Sequence, residues 1–122
     1  MKIEIFSSSQ LPAGFSYPHA FIYAITSTQS LDLGDWFFIS AINKNRLTWL
    51  DILKKQYPSR LLIPFAKRSS SDDVACFDGS DTSGNPKVLY IHAFAAQGWE
   101  NRGEERDFSA WLSAVLEEAK SE

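Results

Sequence analysis

LLIPFAKRSSSDDVACFDGSDTSGNPKVLYIH, residues 61–92, is the stretch whose reading decides the fold. Leu61-Leu62-Ile63-Pro64-Phe65 is continuously apolar, the pattern of a strand covered on both faces. A proline inside such a run marks a strand end or a bulge, because it has no N–H to give to a neighbouring strand. Asp73-Val74-Ala75-Cys76-Phe77-Asp78 is a short apolar strand bounded by acids. Lys87-Val88-Leu89-Tyr90-Ile91-His92 is the strongest strand pattern in the chain. Only the eight residues Gly79 to Pro86 separate these two. That length suits an antiparallel hairpin, since a parallel crossover takes a dozen residues or more.

Working outward toward the N-terminus, a helix is expected near Pro18. Proline fits a first helical turn, Ser16 is available as a cap, and Phe21, Ile22 and Ile25 share a face. Trp36-Phe37-Phe38-Ile39 reads as a strand. A second helix is expected from Arg46 to Tyr57, with Leu47, Leu50, Leu53 and Tyr57 as its apolar stripe and Pro58 as its stop. Thr48 followed by Asp51 resembles a shifted capping box, and Asp51, Lys54 and Lys55 fall on the wet side. Toward the C-terminus, AFAAQGWENRGEER (93–106) reads as a 14-residue loop. Loops of that length are commonly functional or disordered. Asp107 is placed to cap a last helix whose Phe108, Trp111, Leu112, Val115, Leu116 and Ala119 form one stripe. These elements predict one α+β domain over residues 1–122. Its expected core is a mainly antiparallel sheet of about four to five strands with helices packed on it.

Composition agrees with a folded domain. Apolar residues make up 44% of the 122, including nine Phe, four Trp and four Tyr. A core of that size needs neither metal nor disulfide, and Cys76 is the single cysteine. The N-terminal stretch has no apolar secretory core, and no run approaches a membrane span. The expected compartment is the cytoplasm. Net charge is −3 but uneven. Residues 1–68 carry eight Lys/Arg against four Asp/Glu, and residues 69–122 carry four against eleven. An acidic C-terminal half repels nucleic acid and attracts a basic partner, or simply keeps the surface solvated.

The chain offers little for catalysis. It has no phosphate-cradling lysine loop and no G-x-G-x-x-G after a strand. Cys76, His19 and His92 lie far apart and lack metal-ligand spacing. A calcium loop starting at Asp78 would need a glutamate where Leu89 stands. One starting at Asp81 puts Pro86 in place of the turn glycine and His92 in the last ligand position. No metal, cofactor or catalytic residue is therefore expected. Cys76 and His92 sit on strands that could be neighbours, so a Cys–His nucleophile is one reading. The preferred one is a buried cysteine and a strand-end histidine. Asp72 with Asp73, and Glu104 with Glu105, read as exposed loop acids and not as an acid–base pair. Trp99 stands among Glu100, Arg102, Glu104 and Arg106. It is either a docking anchor ringed by charge or a plug that closes the core under the loop.

Taken in order, Arg60-Leu-Leu-Ile-Pro-Phe-Ala66, Asp72-Asp-Val-Ala-Cys-Phe-Asp78, Lys87-Val-Leu-Tyr-Ile-His92 and a helix opening at Asp107-Phe108 resemble the SUKH superfamily. Phe15-Ser-Tyr-Pro18 and Gly34-Asp-Trp36 resemble its short bacterial members, so the likeness runs over residues 15–119. It implies a SUKH-like α+β fold and no catalysis. Trp36, Pro64, Phe65, Asp73, Phe77 and Asp78 would then be structural, with the two acids fixing turns. Many bacterial members are immunity proteins that neutralise a toxin domain by binding it. The expected partner is a cognate toxin with a basic surface, such as a nuclease, rather than nucleic acid or membrane. The protein itself would be a monomer or weak homodimer. Candidate contacts are Asp72, Asp81, Trp99, Glu100, Glu104 and Glu105. The alternatives are a housekeeping scaffold or small-ligand module and, behind both, a hydrolase using Cys76 and His92.

Overall fold

The computed structural model describes residues 3–27, 31–40 and 48–121. In chain order its elements are α1 (His19–Thr26), β1 (Trp36–Phe38), α2 (Trp49–Gln56), β2 (Leu62–Arg68), β3 (Asp73–Asp78), β4 (Val88–His92), β5 (Asn101–Glu105) and α3 (Phe108–Lys120). The five strands form one sheet in sequential order, and every adjacent pair is antiparallel. The fold is α+β, as the strand and helix patterns predict.

Alternation along the strands explains the layering. Ala75, Phe77 and Val88 face α1 and α3, in a core with Phe21, Phe65, Phe108 and Trp111. Val74, Cys76, Leu89 and Ile91 face the other way and pack with Leu53 and Tyr57, the buried side of α2. The first core is aromatic. The Phe65 and Phe77 rings stack at 4.2 Å, and Phe21 meets both edge-on. Each such pair is worth about 0.5–1.5 kcal/mol beyond its buried area. Among the described residues Trp111 Nε1 is the buried side-chain nitrogen without a hydrogen-bond partner. Its indole stands edge-on to Trp36 and Phe65.

The proline in β2 does what its missing N–H requires. Pro64 pairs with Cys76 and Ala66 with Ala75, so Phe65 is an extra residue at a bulge. The insertion reverses the alternation beyond it. Lys67 turns to the α2 face and lies over Trp49 at 5.7 Å. Arg68 turns to the α3 face, over Trp36 at 4.7 Å, and holds Glu118 with two hydrogen bonds of 2.8 and 3.0 Å.

Several boundaries differ from expectation. Pro18 occupies the N-cap slot of α1 with extended backbone, so Ser16 does not cap the helix. α2 begins at Trp49, and Thr48 is its N-cap in a full capping box with Asp51. Arg46 and Leu47 lie outside the described residues. Residues 93–106 are not one loop, since they contain β5. NRGEE has no β-branched or aromatic residue and is exposed along most of its length. Pairing with β4, not intrinsic preference, makes it a strand. Asp107 caps α3 as expected, accepting from the Ala110 amide at 2.9 Å.

Candidate functional site

β3 and β4 run between two ends of the sheet. At one end lie the β2–β3 turn (69–72), the β4–β5 loop (93–100) and the C-terminus of α2. The Ala93 amide bonds to the Asp72 carbonyl at 2.9 Å and ties turn and loop together. At the other end lie the β3–β4 loop (79–86) and the start of α3, joined through Asn85 and Asp107. The six candidate contacts divide between these ends. Asp72, Trp99 and Glu100 belong to the first, Asp81, Glu104 and Glu105 to the second.

The β4–β5 loop carries the largest exposed aromatic side chains of that end. Trp99 is 74% exposed and Phe94 62%. The reading of Trp99 as a core plug is thereby removed. Phe94 also adopts φ +67°, a left-handed conformation that a bulky residue seldom takes. Such strain persists only where the surroundings over-determine it, and α2 does so here. The Gln56 side-chain carbonyl accepts from the Phe94 amide at 2.8 Å, and the Gln56 backbone carbonyl accepts from Gln97 Nε2 at 3.1 Å. The Tyr57 hydroxyl donates to the Ala95 carbonyl at 2.8 Å. Burial, with the charge of Glu100 adding to it, raises the Tyr57 pKa and keeps the hydroxyl a donor. Trp49 meets the Phe94 ring edge-on at 6.2 Å.

Glu100 braces the loop from inside. It is 6% exposed, the one buried charged residue among those described, so it is not the surface contact the sequence suggested. Its Oε2 lies 2.6 Å from Arg60 Nη1, and its Oε1 accepts from the Gly98 amide at 2.7 Å. The Glu100 carbonyl accepts from the His92 amide at 2.7 Å. Burial alone would raise the carboxyl's pKa. The Arg60 bond and the backbone amides outweigh it and hold the pKa below the usual carboxylate value. One side chain thus joins the segment after α2, the turn at Gly98 and, through its own backbone, the end of β4.

The acids of the other end are engaged locally. Asp81 accepts from the Ser83 amide at 3.0 Å, Glu104 faces Lys87 Nζ at 3.5 Å, and Glu105 accepts from the Tyr90 hydroxyl at 3.0 Å. Asp72 is exposed. Trp36, Pro64, Phe65 and Phe77 are buried, and Asp78 closes the next turn by accepting from the Ser80 amide and hydroxyl. Asp73 binds Ser71 Oγ at 2.9 Å and His92 Nδ1 at 2.8 Å. Its pKa is lowered because these bonds together outweigh the opposing effect of burial.

Alternation also separates the two residues of the hydrolase reading. Cys76 pairs with Leu89 on the α2 face, whereas His92 pairs with Asp73 on the opposite one. The Cys76 thiol is fully buried, and desolvation pushes its pKa far up. The Asp73–His92 pair has no hydroxyl or thiol bonded to the other ring nitrogen among the described residues. It links the roots of the same two loops. A small open hollow of about 160 Å³ lies beside it, between Trp36, Arg68, Tyr90 and Arg102. The guanidinium of Arg68 is already taken up by Glu118 and Asp35. No cluster of three potential metal ligands exists among the described residues, nor any helix long and apolar enough to cross a membrane.

No protein-family model matches the chain, no curated protein matches it, and no solved structure matches it.

Phe94, Gln56, Tyr57 and Arg60 were not singled out for this end from sequence. An isolated Phe in an otherwise small-residue run, Ala93-Phe94-Ala95-Ala96, was the available signal for Phe94. The braces come from α2 and the segment after it, and only the fold brings them to the loop.

Proposed function

We propose that this protein is a non-catalytic binding module of the SUKH immunity type, which neutralises a cognate toxin domain by direct contact in the cytoplasm. The observation that carries this reading is the β4–β5 loop. Two large aromatics stand out in solvent there, on a backbone that Gln56, Tyr57 and Glu100 hold in place, with Phe94 itself in the left-handed region. An exposed, rigid aromatic is a typical centre of a protein–protein hot spot. The separation of Cys76 from His92 and the ordered run of family-like motifs point the same way. A monomer offers this surface as well as a weak dimer does.

The test is co-expression with the protein encoded by the neighbouring reading frame. A stable complex and rescue of growth from that protein's toxicity are expected. Neither complex nor rescue would defeat the reading.

A further inference from the structure

We infer that the partner is held through an uncharged, preformed aromatic loop, with Phe94 and Trp99 entering an apolar pocket on a protein, while the acidic end of the sheet stays outside the contact. This rests on the protein-binding reading above and specifies its chemistry.

The loop's charge inventory carries the argument. Residues 93–99, AFAAQGW, contain no ionisable side chain. The next residue, Glu100, is turned inward and neutralised by Arg60. The chain between Phe94 and Trp99 therefore exposes no charge of its own, and the exposed Arg102 stands beside it with its Nε donating to the Trp99 carbonyl at 3.2 Å. Of the candidate acids that would imitate a nucleic acid's phosphates, Asp72 alone is exposed at this end. Asp81, Glu104 and Glu105 belong to the far end, where they contact Ser83, Lys87 and Tyr90.

Preformation supplies the second strand. Ordering a loop at the moment of binding costs free energy, and a loop already fixed avoids that cost. Four bonds fix this one: Gln56 to Phe94, Tyr57 to Ala95, and Glu100 to both Gly98 and Arg60. Glu100 acts as a positioning residue, shaping the Gly98–Trp99 turn from beneath.

Two other partners fit less well. A lipid surface engaged by exposed aromatics is usually assisted by a cluster of Lys or Arg, whereas the exposed charges tied to this loop are one of each sign, Arg102 on the Trp99 carbonyl and Asp72 on the Ala93 amide. Single-stranded nucleic acid stacks on aromatics within a positively charged groove, and here the single exposed cation bonded to the loop, Arg102, is offset by Asp72 at the same end.

Calorimetric titration of the neighbouring-frame protein with the full chain tests the inference. Trp99→Ala is expected to weaken binding at least about 30-fold, as a hot-spot aromatic does, and Phe94→Ala to weaken it measurably. Wild-type affinity should change less than about threefold between 50 and 500 mM NaCl, where screening removes charge–charge attraction. Asp81→Asn combined with Glu104→Gln should leave it unchanged. Steep salt dependence, with loss in the acid variant and retention in Trp99→Ala, would overturn the inference while leaving the protein-binding reading intact. No binding by wild type would sink both.

Sedimentation with phosphatidylcholine vesicles, with and without phosphatidylserine, is the lipid arm. Pelleting that Trp99→Ala abolishes would assign the loop to a membrane and overturn the inference. For Glu100, the Glu100→Gln variant should weaken binding through slower association. Its Gly98 amide should exchange at least about tenfold faster while the β3 amides do not change. Glu100→Asp serves if the first variant does not fold. Unchanged Gly98 exchange would remove Glu100 from the positioning role.

Discussion

A carboxylate out of water is tolerated only when its oxygens are bonded, and Glu100 meets that condition with Arg60 on one oxygen and Gly98 on the other. Its depressed pKa makes stability depend on pH in a definite direction. The folded pKa lies below the unfolded value near 4.5. The group's contribution is therefore complete above that value and is lost as pH falls through the folded one. Urea melts of wild type and Glu100→Gln between pH 7 and pH 3 should converge toward the acid end. The neutral-pH cost of Glu100→Gln should be about 1–3 kcal/mol, the range for weakening a buried charged hydrogen bond. Trp99→Ala should leave stability within about 0.5 kcal/mol, because its ring is mostly in solvent. Cys76 should resist iodoacetamide in the native protein and react in denaturant, as mass spectrometry would show. Rapid native alkylation would contradict both its burial and its raised pKa.

Among elements, the helices depend on their first residues. Thr48 and Asp107 each satisfy an amide at a helix start, and replacing either with Ala should cost about 1 kcal/mol by chemical denaturation. These caps show which parts of the structure were readable in the sequence. Where local chemistry decides, as at Asp107, at β3 between its two acids, or at the proline bulge in β2, the reading and the structure agree. β5 was not readable because its strand character comes from β4 and not from its own residues. Pro18 misled because it can either open a helix or precede one, and its extended backbone here selects the second. Part of the candidate site was legible. Trp99 stood out, but the burial of its neighbour Glu100 did not, because the partner that holds it, Arg60, lies forty residues away along the chain. Runs of charge do not distinguish acids that face solvent from acids that are bonded.

At the level of the whole molecule, two cores share one sheet, so damage to either should reach the other. Phe77→Ala would remove the ring stacked on Phe65 at the centre of the aromatic core. A loss of about 3–5 kcal/mol is expected, as for other large-to-small changes at buried aromatics. The same variant should loosen α2 as well, since Leu50 belongs to the aromatic core while Leu53 belongs to the other. Loss of helical circular dichroism and of near-ultraviolet signal in a single transition would show that coupling. Finally, strand order follows chain order across the whole sheet. Assembly from β2 to β5 therefore needs only short segments to find one another, which favours rapid folding. Stopped-flow refolding should be largely complete in milliseconds. A newly synthesised chain would then present its binding loop almost as soon as it leaves the ribosome.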